Sequence, residues 1–281
     1  MTTRNRRLLI GLYLLSAALV FLYIGFPSEA LRAHVAHSLS AGLPGLSVVI
    51  GDMRPALPAG IMLKGVRVYH ANAPLAVIDQ LRIHPDLFSL WQAKTHYNFD
   101  GIAGEGQIAG TAEIDTAGGR KRVGLNARLA GVLLQKLPAT QSLFGNKLAG
   151  RLDGTLGVND AGSLTGKLAV SEGRVELATP LFDQNVFSFR MAEADLSLQD
   201  RTVMVRNGRM KGNDMDAEVS GTIALDAAPG KNALNLSGRV TPHPAFMAKL
   251  ESSLPATLLR RRTGISFKVS GALNSPGFSF N

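Results

Sequence analysis

The side chains that could perform chemistry in this chain are few and far apart. His34 and His37 are three residues apart, a spacing that could hold a metal ion on one face of a helix. A stable metal site needs further ligands, and the only carboxylate placed near these histidines is Glu29. The chain has no cysteine, which excludes disulfides, thiol catalysis and thiolate ligands. We therefore predict no metal site.

Known catalytic motifs give no better candidate. Residues 104–109 read GEGQIA and fit a loose dinucleotide fingerprint, but that motif needs a helix directly after it. The polar and apolar alternation of residues 111–115 instead predicts a strand there. The sequence contains no G-x-S-x-G, no Walker A motif and no H-E-x-x-H, and no nucleophile, base and orienting group come together. We predict no catalytic residues, no cofactor and no enzymatic activity.

The most informative stretch is residues 8–26, which read LLIGLYLLSAALVFLYIGF and contain no charged side chain. About 20 consecutive apolar residues span the hydrocarbon core of a bilayer as a helix. Arg4, Arg6 and Arg7 lie just before this run, and basic residues favour the cytoplasmic side. We therefore expect residues 1–7 to form a cytoplasmic tail, residues 8–26 to form a single transmembrane helix, and the rest of the chain to lie outside the cytoplasm.

A cleaved signal peptide is the alternative interpretation of the same stretch. Its apolar core is longer than the usual 7–15 residues or so of a signal peptide, and its end lacks small residues spaced like A-x-A. Tyr23 and Phe26 are typical of side chains that anchor a helix at the membrane interface. These features favour an uncleaved anchor.

The basic surplus of the chain bears on its partners. The formal net charge is +9, and without Arg4, Arg6 and Arg7 the chain retains 27 basic against 21 acidic residues. This surplus of six could attract anionic lipid headgroups or an acidic protein face, or it could be a solvated basic surface. The basic runs at residues 120–122 and 260–262 have no interleaved aromatic residues, so we expect no nucleic-acid partner.

Residues 27–45 predict a short amphipathic helix that connects the anchor to the following domain. Leu31, Val35 and Leu39 recur near helical spacing, and Gly42 and Pro44 end the pattern. This helix could lie on the outer leaflet, or it could cover the first strands of the domain.

From residue 46 to residue 281 the hydrophobic period changes to two, which predicts one β-rich domain. Val123, Leu125, Ala127 and Leu129 alternate with polar residues, as in antiparallel strands with one buried face. Residues 133–144 and 244–262 interrupt this alternation with helical patterns. Turns are predicted at residues 116–119, 159–162, 206–208, 228–230 and 274–277.

Along each predicted strand, every second residue is apolar, and we call these positions the apolar phase. Glycines recur among them. The pattern apolar-x-Gly-x-apolar occurs at residues 129–133, 148–152, 152–156, 164–168, 219–223, 236–240 and 269–273. Glycines on one face allow a sheet to bend toward that face, so we predict a strongly curved antiparallel sheet with an apolar concave side. The alternative is a sandwich with glycines at bulges.

The apolar phase supplies the candidate groove. Ten residues are assigned to it: Leu152, Leu156, Leu168, Val170, Val219, Ile223, Leu236, Val240, Val269 and Leu273. If the face is open, acyl chains could lie along it, and if it is closed, the same residues form ordinary core.

Three phrases carry a resemblance to a known family. They are GIMLKGVRV at residues 60–68, APLAVIDQLRI at residues 73–83 followed by LFSLW at residues 87–91, and FKVSGALNSPGF at residues 267–278. With one anchor before a glycine-punctuated β-region, the chain resembles the AsmA-like superfamily. Its length resembles the type II secretion system protein N branch. The phrases are structural and degenerate, and the resemblance as a whole covers essentially the whole chain.

The resemblance implies a bacterial inner-membrane protein with one membrane span, a mainly β periplasmic domain and a few short helices. It implies an accessory role in the machine that exports folded proteins through the outer membrane, with other secretion-system components as partners. The wider superfamily implies the alternative that the apolar trough binds or transfers phospholipid. No catalytic residue is carried over. The chain is much shorter than the large members of the superfamily, which favours an accessory component.

Overall fold

The computed structural model contains one antiparallel sheet of fifteen strands, which confirms the mainly β fold class. It describes residues 27–42, 46–57, 59–70, 73–92, 94–115, 122–142, 147–159, 163–181, 184–199, 201–225, 232–246, 264–272 and 275–280, together with Ile10, Tyr13 and Gly25. The predicted cytoplasmic tail, and all but three residues of the predicted transmembrane helix, lie outside this described part. Among the described residues, no helix is long and apolar enough to cross a membrane.

The strands follow one another along the chain and along the sheet. They are β1 Leu46–Val49, β2 Asp52–Ala56, β3 Gly60–His70, β4 Ala73–Pro85, β5 Lys94–Ala103, β6 Gly106–Asp115, β7 Arg122–Leu133, β8 Lys147–Val158, β9 Leu164–Leu181, β10 Gln184–Gln199, β11 Thr202–Gly212, β12 Met215–Ala224, β13 Ala233–Pro242, β14 Ile265–Ala272 and β15 Ser275–Phe280. From β3 onward each strand pairs with the next. Both β1 and β2 pair with β3, so together they form one interrupted edge strand.

Helices lie before the strands and in several of their connections. Helix α1 spans Ser28–Gly42 and α2 spans Pro138–Ser142, while the 3-10 helices η1 and η2 span Ser89–Trp91 and Leu134–Lys136. The predicted helical pattern of residues 133–144 is therefore present as η2 and α2. Of the second pattern, residues 244–246 are helical, and residues 247–262 lie outside the described part.

Helix α1 covers the first strands. Leu31, Val35 and Ala36 pack against the buried cluster of Val48, Ile50, Met53, Leu63 and Val66. The Arg32 guanidinium donates a hydrogen bond of 2.9 Å to the carbonyl oxygen of Gly51, in the interruption between β1 and β2. Of the two roles considered for this segment, the contacts support a cover over the sheet.

Two of the predicted turns are wrong. Residues 206–208 lie inside β11, where they form a bulge and Asn207 has φ +50°. Asparagine tolerates this left-handed conformation in a bulge as well as in a turn, so the Arg-Asn-Gly signal is ambiguous. At the other site Ser275, Pro276 and Gly277 belong to β15. Proline fits there because β15 is an edge strand, and an edge strand does not need every backbone N–H for pairing.

The glycines of the apolar phase give the first prediction. A methyl group at Gly154 would lie 2.7 Å from Leu168 Cδ2 and would overlap the Lys167 carbonyl oxygen. We expect Gly154→Ala to lower the free energy of unfolding by about 1–3 kcal/mol, as in other overpacked sites. The measurement is urea denaturation of the purified full-length chain, with unfolding monitored by the circular dichroism signal of the β-sheet.

The matched control is Gly157→Ala in the same strand. Gly157 faces the polar side, where a methyl group would make only contacts of 3.4 Å or longer. This substitution should leave the stability within about 1 kcal/mol of the original. Equal losses for the two variants would contradict the claim that the apolar side is the crowded side of this strand.

Candidate functional site: the apolar face of the sheet

The strand register places the predicted groove residues on one face. Leu152 of β8 lies opposite Val170 of β9, and Leu236 of β13 lies opposite Val269 of β14. Since side chains alternate between the two faces of a strand, the remaining residues of the set in these strands and in β12 follow the same face. Leu273 lies outside the described part of the chain.

Strands β10 and β11 join the two halves of this face, and the sequence analysis did not assign residues from them. Leu196 lies opposite Val205, and Leu198 lies opposite Val203. Leu196 also lies opposite Gly166 of β9. The signal that could have found these residues is the same alternation, visible in the stretches ADLSLQ and TVMV.

Large apolar side chains on this face lie across glycines of neighbouring strands. A methyl group at Gly173 would overlap the ring of Phe189. At Gly238 and Gly110 a methyl group would lie 2.8 and 2.6 Å from the ring atoms of Phe267 and Phe99, respectively. An aromatic ring that covers a glycine on the neighbouring strand removes apolar surface from water without a second layer of structure.

The exposure of the apolar phase depends on what covers it. Under α1 the side chains are fully buried, and Leu63 is only 1% exposed. In β8 and β9 none of the described leucines and valines is buried, including the groove residues Leu152, Leu156, Leu168 and Val170. No described helix makes extensive contact with β9. Helices η2 and α2 contact β8. In the described structure the apolar face is therefore open along β9 and only partly covered along β8.

The β12 to β14 section is more closed. Phe246 is 2% exposed and packs with Met215, and Val240 lies against this cluster. A second cluster is formed by Leu234 and Val269, and the partly buried Ile223 and Leu236 pack against it. Here part of the predicted groove acts as local core. The open section of the candidate site thus consists of the β8 and β9 residues together with the partly buried Val219.

The opposite face carries alternating charges in register. Glu193 of β10 lies opposite Arg209, Arg209 lies opposite Glu218, and Glu218 lies opposite Arg239. Opposite charges that face each other across strands stabilise a sheet by a few tenths of a kcal/mol, up to about 1 kcal/mol per pair. This pattern indicates that the polar face is a solvated surface. The opposite charges also favour the observed register of β10 to β13 over a shifted one.

Open depressions of about 500 to 610 Å³ lie along this polar side. All three contain Asn207, whose side chain donates a hydrogen bond of 2.9 Å to Asp195 Oδ2. The largest is lined by Arg209, Glu218 and Arg239, with serines between them. Their side chains are mostly exposed, so the depressions hold no desolvated charged group of the kind that marks a catalytic site.

The residues considered for chemistry are not assembled into a site. In the described part of the chain, no three His, Asp or Glu side chains are placed to bind one metal ion. His37 is exposed, and the side chain of His34 is outside the description. Gly104 and Glu105 form a turn, and strand β6 follows at Gly106. The rejection of the dinucleotide fingerprint is confirmed, because the helix that the motif requires is replaced by a strand.

No protein-family model, no curated protein and no solved structure matches the chain. The resemblance to the AsmA-like superfamily stays a prediction, and the function is argued from the sheet itself.

Proposed function

We propose that this chain is a non-enzymatic accessory component of the type II protein secretion system, anchored in the bacterial inner membrane with its sheet in the periplasm. The phrases that resemble the protein N branch support this proposal. They coincide with β3, with β4 and η1, and with β14 and β15. They therefore lie at both ends of the sheet rather than in one local motif.

The observation that favours a scaffold is the edge at β15. In the described structure β15 pairs with β14 on one side only, and its sequence SPGFSF has no charged residue. Phe278 is 43% exposed. Natural edge strands are commonly protected by charges or by proline. Strand β15 has Pro276 near its start but no charge, so the part after Pro276 can accept a strand from a partner. We infer that β15 is the contact strand for another component of the secretion machine.

Secretion by intact cells tests this proposal. We expect a strain that lacks the chain to release several-fold less of a type II exported enzyme into the medium, and the wild-type chain to restore release. Phe278→Lys should fail to restore it, because a charge on the edge opposes strand addition. The control is Met191→Lys, since Met191 is 42% exposed and lies within the sheet, away from the edge.

The outcomes separate two claims. Normal secretion and normal assembly of the machine without the chain would contradict the accessory role. Loss of secretion in the deletion strain with full restoration by Phe278→Lys would contradict only the contact through β15.

A second candidate function is phospholipid binding on the apolar face. It is favoured by the open β8 and β9 section, where partly buried leucines and valines form a stripe that no described helix covers along β9. Removing apolar surface from water is favourable by about 25 cal/mol for each Å². An acyl chain bound along the stripe would cover such surface and would therefore stabilise the protein. In this proposal the chain is a lipid-binding or lipid-transfer module of envelope biogenesis.

The proposed curvature toward the apolar side supports a trough of this kind. Helix α2 contacts both β4 and β8. In a flat sheet these strands would be about 19 Å apart, whereas a helix of five residues is only about 7.5 Å long. The glycines of the apolar phase, where neighbouring side chains approach closely, favour the same bend.

Native mass spectrometry tests the lipid proposal. We expect the detergent-purified chain to retain phospholipid, and the double substitution Leu156→Gln and Leu168→Gln to reduce the bound fraction several-fold. The matched control is Thr155→Gln with Lys167→Gln, which changes the neighbouring residues on the polar side. Equal retention by the two double variants, or no lipid on the wild-type chain, would contradict lipid binding on this face.

A further inference from the structure

The most exposed large apolar side chains lie in the connection between β4 and β5. Phe88 and Trp91 are each 86% exposed, and Leu87 is 47% exposed. We call these three residues the aromatic tip. A fully exposed tryptophan next to an exposed phenylalanine leaves a large apolar area in water. Solvation alone does not explain such a cluster, which is typical of a contact surface.

The turn that carries the aromatic tip is held firmly by hydrogen bonds. Ser89 is 2% exposed, and its hydroxyl donates to the Asp86 carbonyl oxygen at 2.8 Å. The same hydroxyl accepts from the His96 amide at 2.9 Å. The Asp86 carboxylate accepts from the Phe88 amide at 3.1 Å. The apolar side chains therefore project from a fixed turn, and their exposure is built into the fold.

The aromatic tip lies on the side of the sheet where the chain leaves α1 toward its N-terminus. The register places the β2–β3 and β4–β5 connections at the same ends of the strands, which we call the proximal rim. Leu57, in the β2–β3 turn of this rim, is 67% exposed. Because Gly42 closely precedes β1 in sequence and Arg32 bonds to Gly51, α1 runs antiparallel to β1 and β2. Its first residue, Ser28, therefore points toward the proximal rim.

The lengths of α1 and β2 indicate that the proximal rim lies near the predicted anchor. Ser28 lies about 6 Å beyond Arg32 along the helix. Strand β2 continues from Gly51 to Leu57 over about 20 Å in the same direction. The proximal rim thus reaches at least as far as the end of α1, and residues 8–26 precede that end in the sequence. A membrane that holds those residues would lie close to the aromatic tip.

We propose that the aromatic tip inserts into the interface of the membrane that holds the N-terminal anchor. This inference rests on the proposed membrane anchor. Tryptophan suits such a site because its apolar ring enters the acyl boundary while the indole N–H stays near polar headgroups. Phe88, Leu87 and Leu57 add apolar area at the same rim. The second contact fixes the orientation of the sheet on the membrane, which one anchor alone does not do.

The chain supplies its own probe, because Trp91 is its only tryptophan. The experiment uses the full-length chain reconstituted into vesicles of phosphatidylethanolamine and phosphatidylglycerol. We expect Trp91 fluorescence to be quenched by lipids brominated near the glycerol backbone and to be protected several-fold from iodide in the water. Phe88→Ser should reduce this protection, since it removes apolar area beside the indole.

The control moves the probe from η1 to the far end of the following strand, β5. A Trp91→Phe, Ile102→Trp variant places the indole at a site that is 45% exposed and about 26 Å from the start of β5. In this variant iodide should quench the fluorescence and brominated lipid should not.

Iodide access to Trp91 equal to that of the Ile102→Trp probe would overturn the proposal and would assign the tip to solvent or to a protein partner. Extraction with alkaline carbonate separates this failure from failure of the anchor. A chain that stays in the vesicles while Trp91 remains accessible retains the anchor and loses the tip contact. A chain that carbonate removes lacks the anchor, and both proposals fall.

Discussion

The structure depends on backbone pairing between consecutive antiparallel strands. From β3 to β15 each strand bonds to the next one in sequence, so the sheet can extend in one layer without long crossover connections. A single layer cannot bury both faces. Its inner face must be covered by helices, covered by other molecules, or left partly exposed. At the β1 to β3 end the chain uses α1 as a cover, and Leu63 is 1% exposed there. Along β9 the described chain provides no such cover.

This constraint connects the proposals. Neighbouring strands rotate by about 20° relative to one another, so the proximal rim can follow a membrane surface for only a few strands. That agrees with the position of the aromatic tip on the β4–β5 connection, near the anchor. The later strands rotate away and carry the open apolar section with them. Along its thirteen strand spacings the sheet measures roughly 62 Å, and β15 lies at the opposite end of the strand order from the first strands. That edge suits contact with a partner, whether the face binds lipid or not.

Much of the fold could be predicted from the sequence because period-two alternation reports one buried face directly. Leu125 and Leu129 of β7 and Leu152 and Leu156 of β8 lie on the predicted phase, and the register confirms them as one face. The misses have local causes. Arg-Asn-Gly at residues 206–208 is a bulge because asparagine accepts a positive φ in either setting. Pro276 lies inside a strand because the strand is at an edge.

The site was harder to predict than the fold. Alternation shows that a residue faces inward, but it does not show whether another element covers that residue. Val269 is buried in a local cluster, while Leu168 stays partly exposed, although both have the same sequence pattern. The aromatic tip was recognised only as part of a family phrase, since the exposure of Trp91 depends on the turn that Ser89 stabilises. Coverage and exposure are set by contacts between segments distant in sequence, which no local pattern encodes.

The central claim is that the apolar face of β8 and β9 is covered by molecules other than this chain. Photocrosslinking in intact cells tests it most directly, with a photoreactive residue at Leu156 or Leu168 and polar-side controls at Thr155 and Lys167. The account predicts adducts with phospholipid, or with a secretion component, from the two apolar positions and not from the controls. Crosslinks confined to the chain itself, or no adducts at the apolar positions, would show that this face is ordinary core and would contradict the account.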